Sequence, residues 1–301
     1  MPNHYEPPFP VDKDEYPFSS NWFERKDTIL HYVDHGCGKP VLMLHGNPTW
    51  SYLYRNIIKG LDGSCRSIAP DYPGFGFSGH PPDYRYTPME HAEWVCSLVN
   101  YLNLDNIILV VQDWGGPIGL SLATAMPERI AGIVLCNTWC WPPFFNVRIF
   151  SWIMGGPMGK KFNLKYNFFV KTILPSGLSK ESANDPVLLK AYADPFPTPE
   201  SRMGTYVFPE QIRKSSLWLK EIELNLTRLK DIPVEIVWAM KDPAFGKEAY
   251  IRRWLEHFPM ASVDRVPHAS HYIQEHSPDR VVGAIMRILD QARPLRLSSA
   301  N

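Results

Sequence analysis

The sequence lacks a net charge, because 31 Lys and Arg residues balance 31 Asp and Glu residues in a chain of 301. It also lacks a basic tract, so nucleic acid is not an expected partner. Long apolar runs are missing, and the first residues lack the basic and apolar regions of a signal peptide. From these absences we expect a cytoplasmic protein with neither a nucleic-acid partner nor a membrane partner.

Cysteine is scarce and shows no pattern of pairing. The five cysteines are odd in number, widely spread and without a CxxC pair: Cys37, Cys65, Cys96, Cys136 and Cys140. Such usage suits unpaired thiols in a reducing compartment. Metal-binding patterns are weak as well, because His31 and His35 straddle a predicted strand, and the group His268, His271 and His276 lacks Cys or carboxylate ligands at a known spacing. No metal is expected.

Short β-branched or apolar runs alternate with helical patterns along the chain. The predicted strands span residues 29–33, 41–44, 67–69, 106–111, 130–136, 234–238 and 262–266. The predicted helices span residues 51–61, 88–102, 114–126, 247–257 and 277–291. This order predicts an α/β fold whose mostly parallel central sheet is flanked by helices on both faces.

The alternation breaks between residues 138 and 218, where the chain is rich in Trp, Phe, Pro, Gly and Met and shows helical spacing without a core strand. We therefore expect a core domain of residues 1–138 and 216–301, with residues 139–215 inserted as a helical cap. Such a cap would cover the carboxyl edge of the sheet, where ligands bind in open α/β folds. Its candidate pocket-lining aromatics are Trp139, Trp141, Phe144, Phe168 and Phe196.

Residues 111–116, Val-Gln-Asp-Trp-Gly-Gly, carry the strongest functional signal. An apolar strand precedes them and small residues open the next helix, which is typical of the sharp turn that presents a nucleophile in α/β-hydrolases. Asp113 stands where many hydrolases have serine. A carboxylate there attacks an sp³ carbon that bears a leaving group and forms an alkyl ester. The alternative interpretation is an ordinary aspartate that caps the helix.

Two further residues complete a catalytic set in the chain order nucleophile, acid, histidine. Asp242 follows the predicted strand 234–238, and His271 follows the predicted strand 262–266. His268 is a rival base in the same loop. We favour His271 because it directly precedes the segment leading into the final helix, and the small Ala269 and Ser270 leave it room.

The turn after the predicted strand 41–44 supplies hydrogen-bond donors. A backbone N–H in residues 45–50, together with that of Trp114, can form an oxyanion hole for an ester on Asp113. The Asn47 amide and the Trp114 indole are also neutral N–H donors. Two such donors in an apolar pocket suit a large, weakly hydrated anion such as chloride or bromide.

Four segments, residues 45–55, 71–78, 112–116 and 271–275, resemble haloalkane dehalogenases, and the similarity runs from about residue 20 to about residue 290. The resemblance implies hydrolysis of carbon–halogen bonds to alcohol, halide and proton without a cofactor. It implies a small halogenated aliphatic substrate, with halide and water as the other species bound.

The resemblance also implies a role for each site residue. Asp113 would be the nucleophile, His271 the base that activates water, and Asn47 with Trp114 the halide clamp. In that family the acid follows either the sixth or the seventh strand. Asn137 occupies the sixth-strand position and cannot be the acid, which leaves Asp242 to orient His271.

Other functions remain open at this stage. An epoxide hydrolase shares the fold and the Asp-Trp elbow, but it needs two cap tyrosines, for which Tyr166, Tyr192 and Tyr206 are available. A luciferase-like oxygenase and a non-catalytic binding protein of the same fold are further alternatives, although no triad member is lost. Residues 74–79 match GxGxxG, yet His-Pro-Pro follows instead of a helix, so no dinucleotide cofactor is expected.

Overall fold

The computed structural model describes residues 5–25 and 28–291. Its strands are β1 Ser20–Arg25, β2 Thr28–Gly36, β3 Pro40–Leu44, β4 Arg66–Pro70, β5 Ile107–Asp113, β6 Ile130–Thr138, β7 Val234–Ala239 and β8 Ser262–Val266. They form one sheet in the order β1-β2-β4-β3-β5-β6-β7-β8. Strand β2 is antiparallel to both β1 and β4, and every other neighbouring pair is parallel.

The predicted mostly parallel sheet is confirmed, and all seven predicted strands are present. The sequence pattern missed β1, which pairs only with β2 at the edge of the sheet. Its residues Asn21 and Glu24 interrupt the apolar run by which buried strands are found. Edge strands commonly carry such polar residues, because these discourage pairing with another chain.

The helices of the described chain are α1 Arg55–Gly60, α2 Pro88–Tyr101, α3 Gly115–Ala125, α4 Phe145–Met154, α5 Pro157–Tyr166, α6 Leu174–Ser176, α7 Pro186–Ala193, α8 Met203–Lys214, α9 Ser216–Asn225, α10 Glu248–His257, α11 Ile273–His276 and α12 Pro278–Gln291. Four of the five predicted helices, α2, α3, α10 and α12, agree with the structure to within one residue at each end. The predicted helix 51–61 begins with a 3₁₀ turn, Ser51–Tyr54, before α1. Such tighter turns are frequent at helix N-termini.

Helices cover both faces of the sheet. On one face, α2, α3 and α10 bury apolar side chains such as Leu98, Ile118 and Trp254 against the strands. On the other face, α1 and α12 do the same with residues such as Ile57 and Ile285. Both faces of the central strands are therefore dry, which explains why β5 reads as a nearly continuous apolar run.

The carboxyl ends of the parallel strands meet at one edge of the sheet. Strands β3, β5, β6, β7 and β8 lie side by side in this order, so the loops that follow them lie at the same edge. Helices α4 to α9 lie between β6 and β7 in the chain, and α4, α5 and α8 pack against one another. Within the described residues, no helix is long and apolar enough to cross a membrane.

Candidate active site

Asp113 stands at the tip of a strained turn. It is the last residue of β5, and its backbone φ is 49°. This value lies in the left-handed region, which residues other than glycine rarely adopt. The turn fits tightly, because a Cβ on Gly46 would collide with the Asp113 side chain and one on Gly116 would collide with Thr138. Thr138 holds the turn by donating from Oγ1 to the Asp113 carbonyl oxygen at 2.6 Å. The backbone thus presents the carboxylate at the sheet edge, as the sequence pattern predicts.

The Asp113 carboxylate is buried and partly compensated. Burial raises its pKa, while His271 and the backbone N–H groups of Asn47 and Trp114 oppose that rise, so that the pKa stays above its ordinary range. The N–H of Asn47 donates to Oδ1 at 2.8 Å. A carboxylate with few hydrogen bonds in a dry site is a more reactive nucleophile than a hydrated one.

His271 lies between two carboxylates. Its Nδ1 donates to Oδ2 of Asp242 at 2.8 Å, and its Nε2 is 3.8 Å from Oδ2 of Asp113. Burial lowers the pKa of the imidazole, but Asp242 and Asp113 outweigh burial and raise the pKa above its ordinary range. His268, the rival base, is exposed, and its ring lies against Ser277 instead.

Asp242 is fixed from both sides. Its Oδ1 accepts from the backbone N–H groups of Ala244 and Phe245 at 2.7 and 3.1 Å. Its Oδ2 accepts from Nδ2 of Asn137 at 2.9 Å as well as from His271. Asn137 is itself held because its Oδ1 accepts from the backbone N–H of Ala239 at 2.7 Å. Asn137, at the sixth-strand position, therefore contacts Asp242 directly.

Gln112 is a site residue that the sequence reasoning missed. Its Nε2 donates to Nε2 of His271 at 3.0 Å and to the His271 carbonyl oxygen at 3.3 Å. A ring nitrogen that accepts a hydrogen bond carries no proton, so this contact favours the neutral imidazole with its proton on Nδ1. The signal was available in the sequence, because Gln112 is the polar residue that immediately precedes Asp113 in an otherwise apolar strand.

The Asn47 amide is oriented by the helical insertion. Its Nδ2 donates to the carbonyl oxygen of Thr205 in α8 at 3.1 Å. Within a helix that carbonyl would accept from the N–H four residues later, but the residue there is Pro209, which has none. Pro209 thereby leaves the Thr205 carbonyl oxygen available to Asn47. The second hydrogen on Nδ2 remains available to a ligand.

A cavity of about 340 Å³ joins these groups. Asn47, Asp113, Trp114, Asp242 and His271 all line it. Its apolar wall includes Trp139, Val147, Phe150, Phe169, Ile173, Pro209, Ile212 and Phe245. The cavity has the size and character of a site for a small apolar ligand that meets a few polar groups.

Of the five aromatic residues expected to line the pocket, Trp139 does so and the other four do not. The Trp141 ring lies 4.8 Å from that of Trp254, and Phe144 packs edge-on against Tyr250. Phe168 lies against Phe162, and Phe196 against Phe75. Aromatic content predicts burial, whereas the direction of each side chain depends on how the helices pack, so the sequence could not distinguish these four residues from Trp139.

Comparison with known proteins agrees with this geometry. The family model for the α/β-hydrolase fold matches residues 39–278. "Haloalkane dehalogenase 2" of Mycobacterium tuberculosis is 38% identical over 280 residues, which cover 92% of this chain and 97% of that protein. A cis-3-alkyl-4-alkyloxetan-2-one decarboxylase of Shewanella oneidensis is 31% identical over 93% of this chain and 91% of that protein.

Solved structures of haloalkane dehalogenases also superpose on this chain. The crystal structure of haloalkane dehalogenase DbeA from Bradyrhizobium elkani superposes with a TM-score of 0.80 at 26% identity, covering 91% of this chain and all of that one. The α/β-hydrolase match spans most of the sequence, and the relative from Mycobacterium tuberculosis is similar over nearly its whole length. This chain therefore belongs to the haloalkane dehalogenase family of α/β-hydrolases.

Proposed function

We propose that this protein hydrolyses carbon–halogen bonds of small haloalkanes to alcohol, halide and proton, through an ester on Asp113. One observation carries the proposal. The Asp113 carboxylate shares a cavity with the base His271 and with the N–H donors of Asn47 and Trp114. A carboxylate in the nucleophile position suits attack at an sp³ carbon, and N–H donors beside it suit the departing anion.

In the first step, an Asp113 oxygen attacks the carbon that bears the halogen. A C–O bond forms while the C–X bond breaks, and both bonding electrons leave with the halide. Negative charge moves from the carboxylate to the halide, where Asn47 Nδ2 and Trp114 Nε1 stabilise it. The apolar wall keeps water from hydrating the nucleophile.

In the second step, His271 Nε2 takes a proton from water as the water oxygen attacks Cγ of Asp113. The backbone N–H of Asn47, which contacts Oδ1 of Asp113, is placed to stabilise the resulting oxyanion. Asp242 stabilises the imidazolium through Nδ1. When the tetrahedral intermediate collapses, the bond from Cγ to the alkyl oxygen breaks, and that oxygen takes the proton from His271 Nε2 and leaves as the alcohol. The proton that remains on the Asp113 carboxyl group passes to solvent. The Asp113 carboxylate is then restored.

The insertion is proposed to act as a cap domain of residues 139–215 on a core of residues 1–138 and 216–301. Support comes from α4 and α8, which contribute Val147, Phe150, Pro209 and Ile212 to the cavity that contains Asp113. We also propose a cytoplasmic location, because the five cysteines are all unpaired and such usage suits a reducing compartment.

Halide release from 1-bromobutane, followed with a pH indicator, tests the proposal. Turnover is expected in the wild type and should vanish in Asp113→Ala. Asn47→Phe should lose on the order of a hundredfold in rate, since it removes a donor to the halide. Asp242→Glu, which keeps a carboxylate beside His271, should lose far less. A folded wild type that releases no halide from short or long bromoalkanes contradicts the proposal.

The site gives little support to epoxide hydrolysis, which needs cap tyrosines that donate to the epoxide oxygen. The Tyr192 hydroxyl donates to Glu275, and the Tyr206 hydroxyl donates to the Gly155 carbonyl oxygen. Tyr166 is 53% exposed. None of these three lines the cavity that contains Asp113.

A second candidate is decarboxylation of a cis-3-alkyl-4-alkyloxetan-2-one, the reaction named for the Shewanella oneidensis relative. Its β-lactone ring contains an sp³ C–O carbon that an aspartate can attack. The lower identity, 31% against 38%, makes it the weaker candidate. Incubation with a dialkyl β-lactone separates the two, because only this reaction yields carbon dioxide and an alkene.

A further inference from the structure

Helix α4 exposes a broad apolar face. Phe145, Ile149, Trp152 and Ile153 are 79%, 45%, 64% and 62% exposed. Their spacing of four, three and one residues puts them on one side of a helix. Large apolar side chains are exposed singly on most proteins, but a contiguous helical face of them marks an interaction surface.

Helix α5 continues this face. Met158, Phe162 and Tyr166 follow one another at intervals of four residues and are 70%, 46% and 53% exposed. The two helices pack against each other, so their exposed side chains belong to one region of the molecule. We call this region, formed by the seven apolar residues of α4 and α5, the α4–α5 surface.

The charged side chains that these two helices carry are all cationic. Although the whole chain has no net charge, residues 129–180 contain seven Lys or Arg and no Asp or Glu. Five of these cations lie on or next to the two helices and are exposed: Arg148, Lys160, Lys161, Lys165 and Lys171. Within the described residues, none of the five forms an ion pair with a carboxylate.

We propose that the α4–α5 surface docks on a lipid bilayer that carries anionic headgroups. Exposed aromatic and aliphatic side chains that are flanked by unpaired lysines match the chemistry of helices that lie in the membrane interface. The apolar residues enter the headgroup region while the lysines contact phosphate groups. A second copy of the chain fits less well, because a two-fold contact through this surface would bring its cations together.

Docking is compatible with the lack of a membrane-spanning helix among the described residues. The expectation of no membrane partner rested on the lack of long apolar runs, and a surface that lies in the membrane interface needs none. It also has a consequence for access to the cavity. Val147 and Phe150 of α4 line the cavity that contains Asp113, so the docked helix forms one of its walls. An apolar compound dissolved in the bilayer would then reach the protein at this wall. The docking itself does not depend on the reaction proposed for Asp113.

Vesicle co-sedimentation of the full chain tests the docking. We expect binding to vesicles of phosphatidylcholine mixed with phosphatidylglycerol, at least tenfold weaker binding to phosphatidylcholine alone, and weakening as salt rises. The variant Trp152→Ser/Ile153→Ser should bind roughly tenfold more weakly. The matched control is Leu217→Ser/Met260→Ser, which removes two apolar side chains that are 85% and 95% exposed elsewhere. That control should bind like the wild type.

Charge provides the second arm of the test. Lys160→Gln/Lys161→Gln should weaken binding to the anionic vesicles by roughly 25-fold, because each lysine near an anionic surface contributes about fivefold. The proposal is overturned if the wild type binds both vesicle types equally. It is also overturned if Leu217→Ser/Met260→Ser loses as much vesicle binding as Trp152→Ser/Ile153→Ser. The proposal is also overturned if the wild type does not bind vesicles but forms a dimer in analytical ultracentrifugation, and if Trp152→Ser/Ile153→Ser dissociates that dimer. That result would assign the surface to a second copy.

Discussion

Asn137 donates from Nδ2 to the Asp242 oxygen that also accepts from Nδ1 of His271. The two distances are 2.9 and 2.8 Å, so the amide and the imidazole share one carboxylate oxygen. Asn137 thus orients Asp242 from the neighbouring strand. The residue that orients His271 can therefore be tested by moving the carboxylate from position 242 to position 137.

Asp242→Asn should slow steady-state turnover by roughly 10⁴-fold, because it leaves His271 without charge support and in the wrong tautomer. Halide release in the first turnover should survive, since Asp113 needs no base to attack. Rapid-quench measurement of halide and alcohol separates the two steps. A variant that turns over at the wild-type rate would show that another acidic residue orients His271.

Asn137→Asp added to Asp242→Asn should recover part of the lost rate, because it returns a carboxylate to the neighbourhood of His271. Alone, Asn137→Asp should lower the melting temperature, since it puts a second carboxylate beside buried Asp242 and removes a donor to the Ala239 carbonyl oxygen. The two substitutions would then be strongly non-additive. If the fold changes in rate of the two single variants multiply to give that of the double variant, the two residues do not act on the same histidine.

His271→Phe should release about one equivalent of halide in a burst and then stop, because water cannot be activated. Mass spectrometry should find the alkyl group on the peptide that contains Asp113. His268→Phe serves as the control and should turn over normally. Steady turnover by His271→Phe would instead assign the base to His268.

Pro209→Ala should weaken bromide binding roughly fivefold, about the 1 kcal/mol of one neutral hydrogen bond. An N–H at position 209 would compete for the Thr205 carbonyl oxygen that now accepts from Asn47. Bromide titration followed by tryptophan fluorescence measures the effect. Ile212→Ala is the control, because it removes another cavity-lining side chain without changing that carbonyl. An equal loss in both variants would attribute the effect to cavity shape.

Turnover limited by ester hydrolysis should rise with pH, because the base must be neutral and the pKa of His271 is raised by its two carboxylates. The activity is therefore lost as pH falls through this raised pKa. Gln112→Glu should move the inflection to higher pH, since a carboxylate accepts from a protonated Nε2 where the amide donates to a neutral one. An unchanged profile in Gln112→Glu would remove Gln112 from the control of His271 protonation.

The sequence alone determined most of the sheet and the position of Asp113 in a sharp turn at the end of β5. Buried parallel strands such as β5 are apolar on both faces, and the Gln-Asp-Trp-Gly-Gly turn is local, so both can be found in a short window of residues. The order of Asp113, Asp242 and His271 along the chain predicted their convergence, because the carboxyl ends of parallel strands meet at one edge.

Only the tertiary structure decided which residues orient Asn47 and Asp242 in the site. Asn47 and Thr205 are 158 residues apart, and Asn137 and Asp242 are 105 apart, so no local pattern could pair them. The aromatic content of the insertion indicated buried side chains, but it did not indicate that Trp139 faces the cavity while Trp141 and Phe196 do not. Side-chain direction depends on how helices pack on one another and on the sheet, and that packing involves contacts that a one-dimensional pattern does not contain.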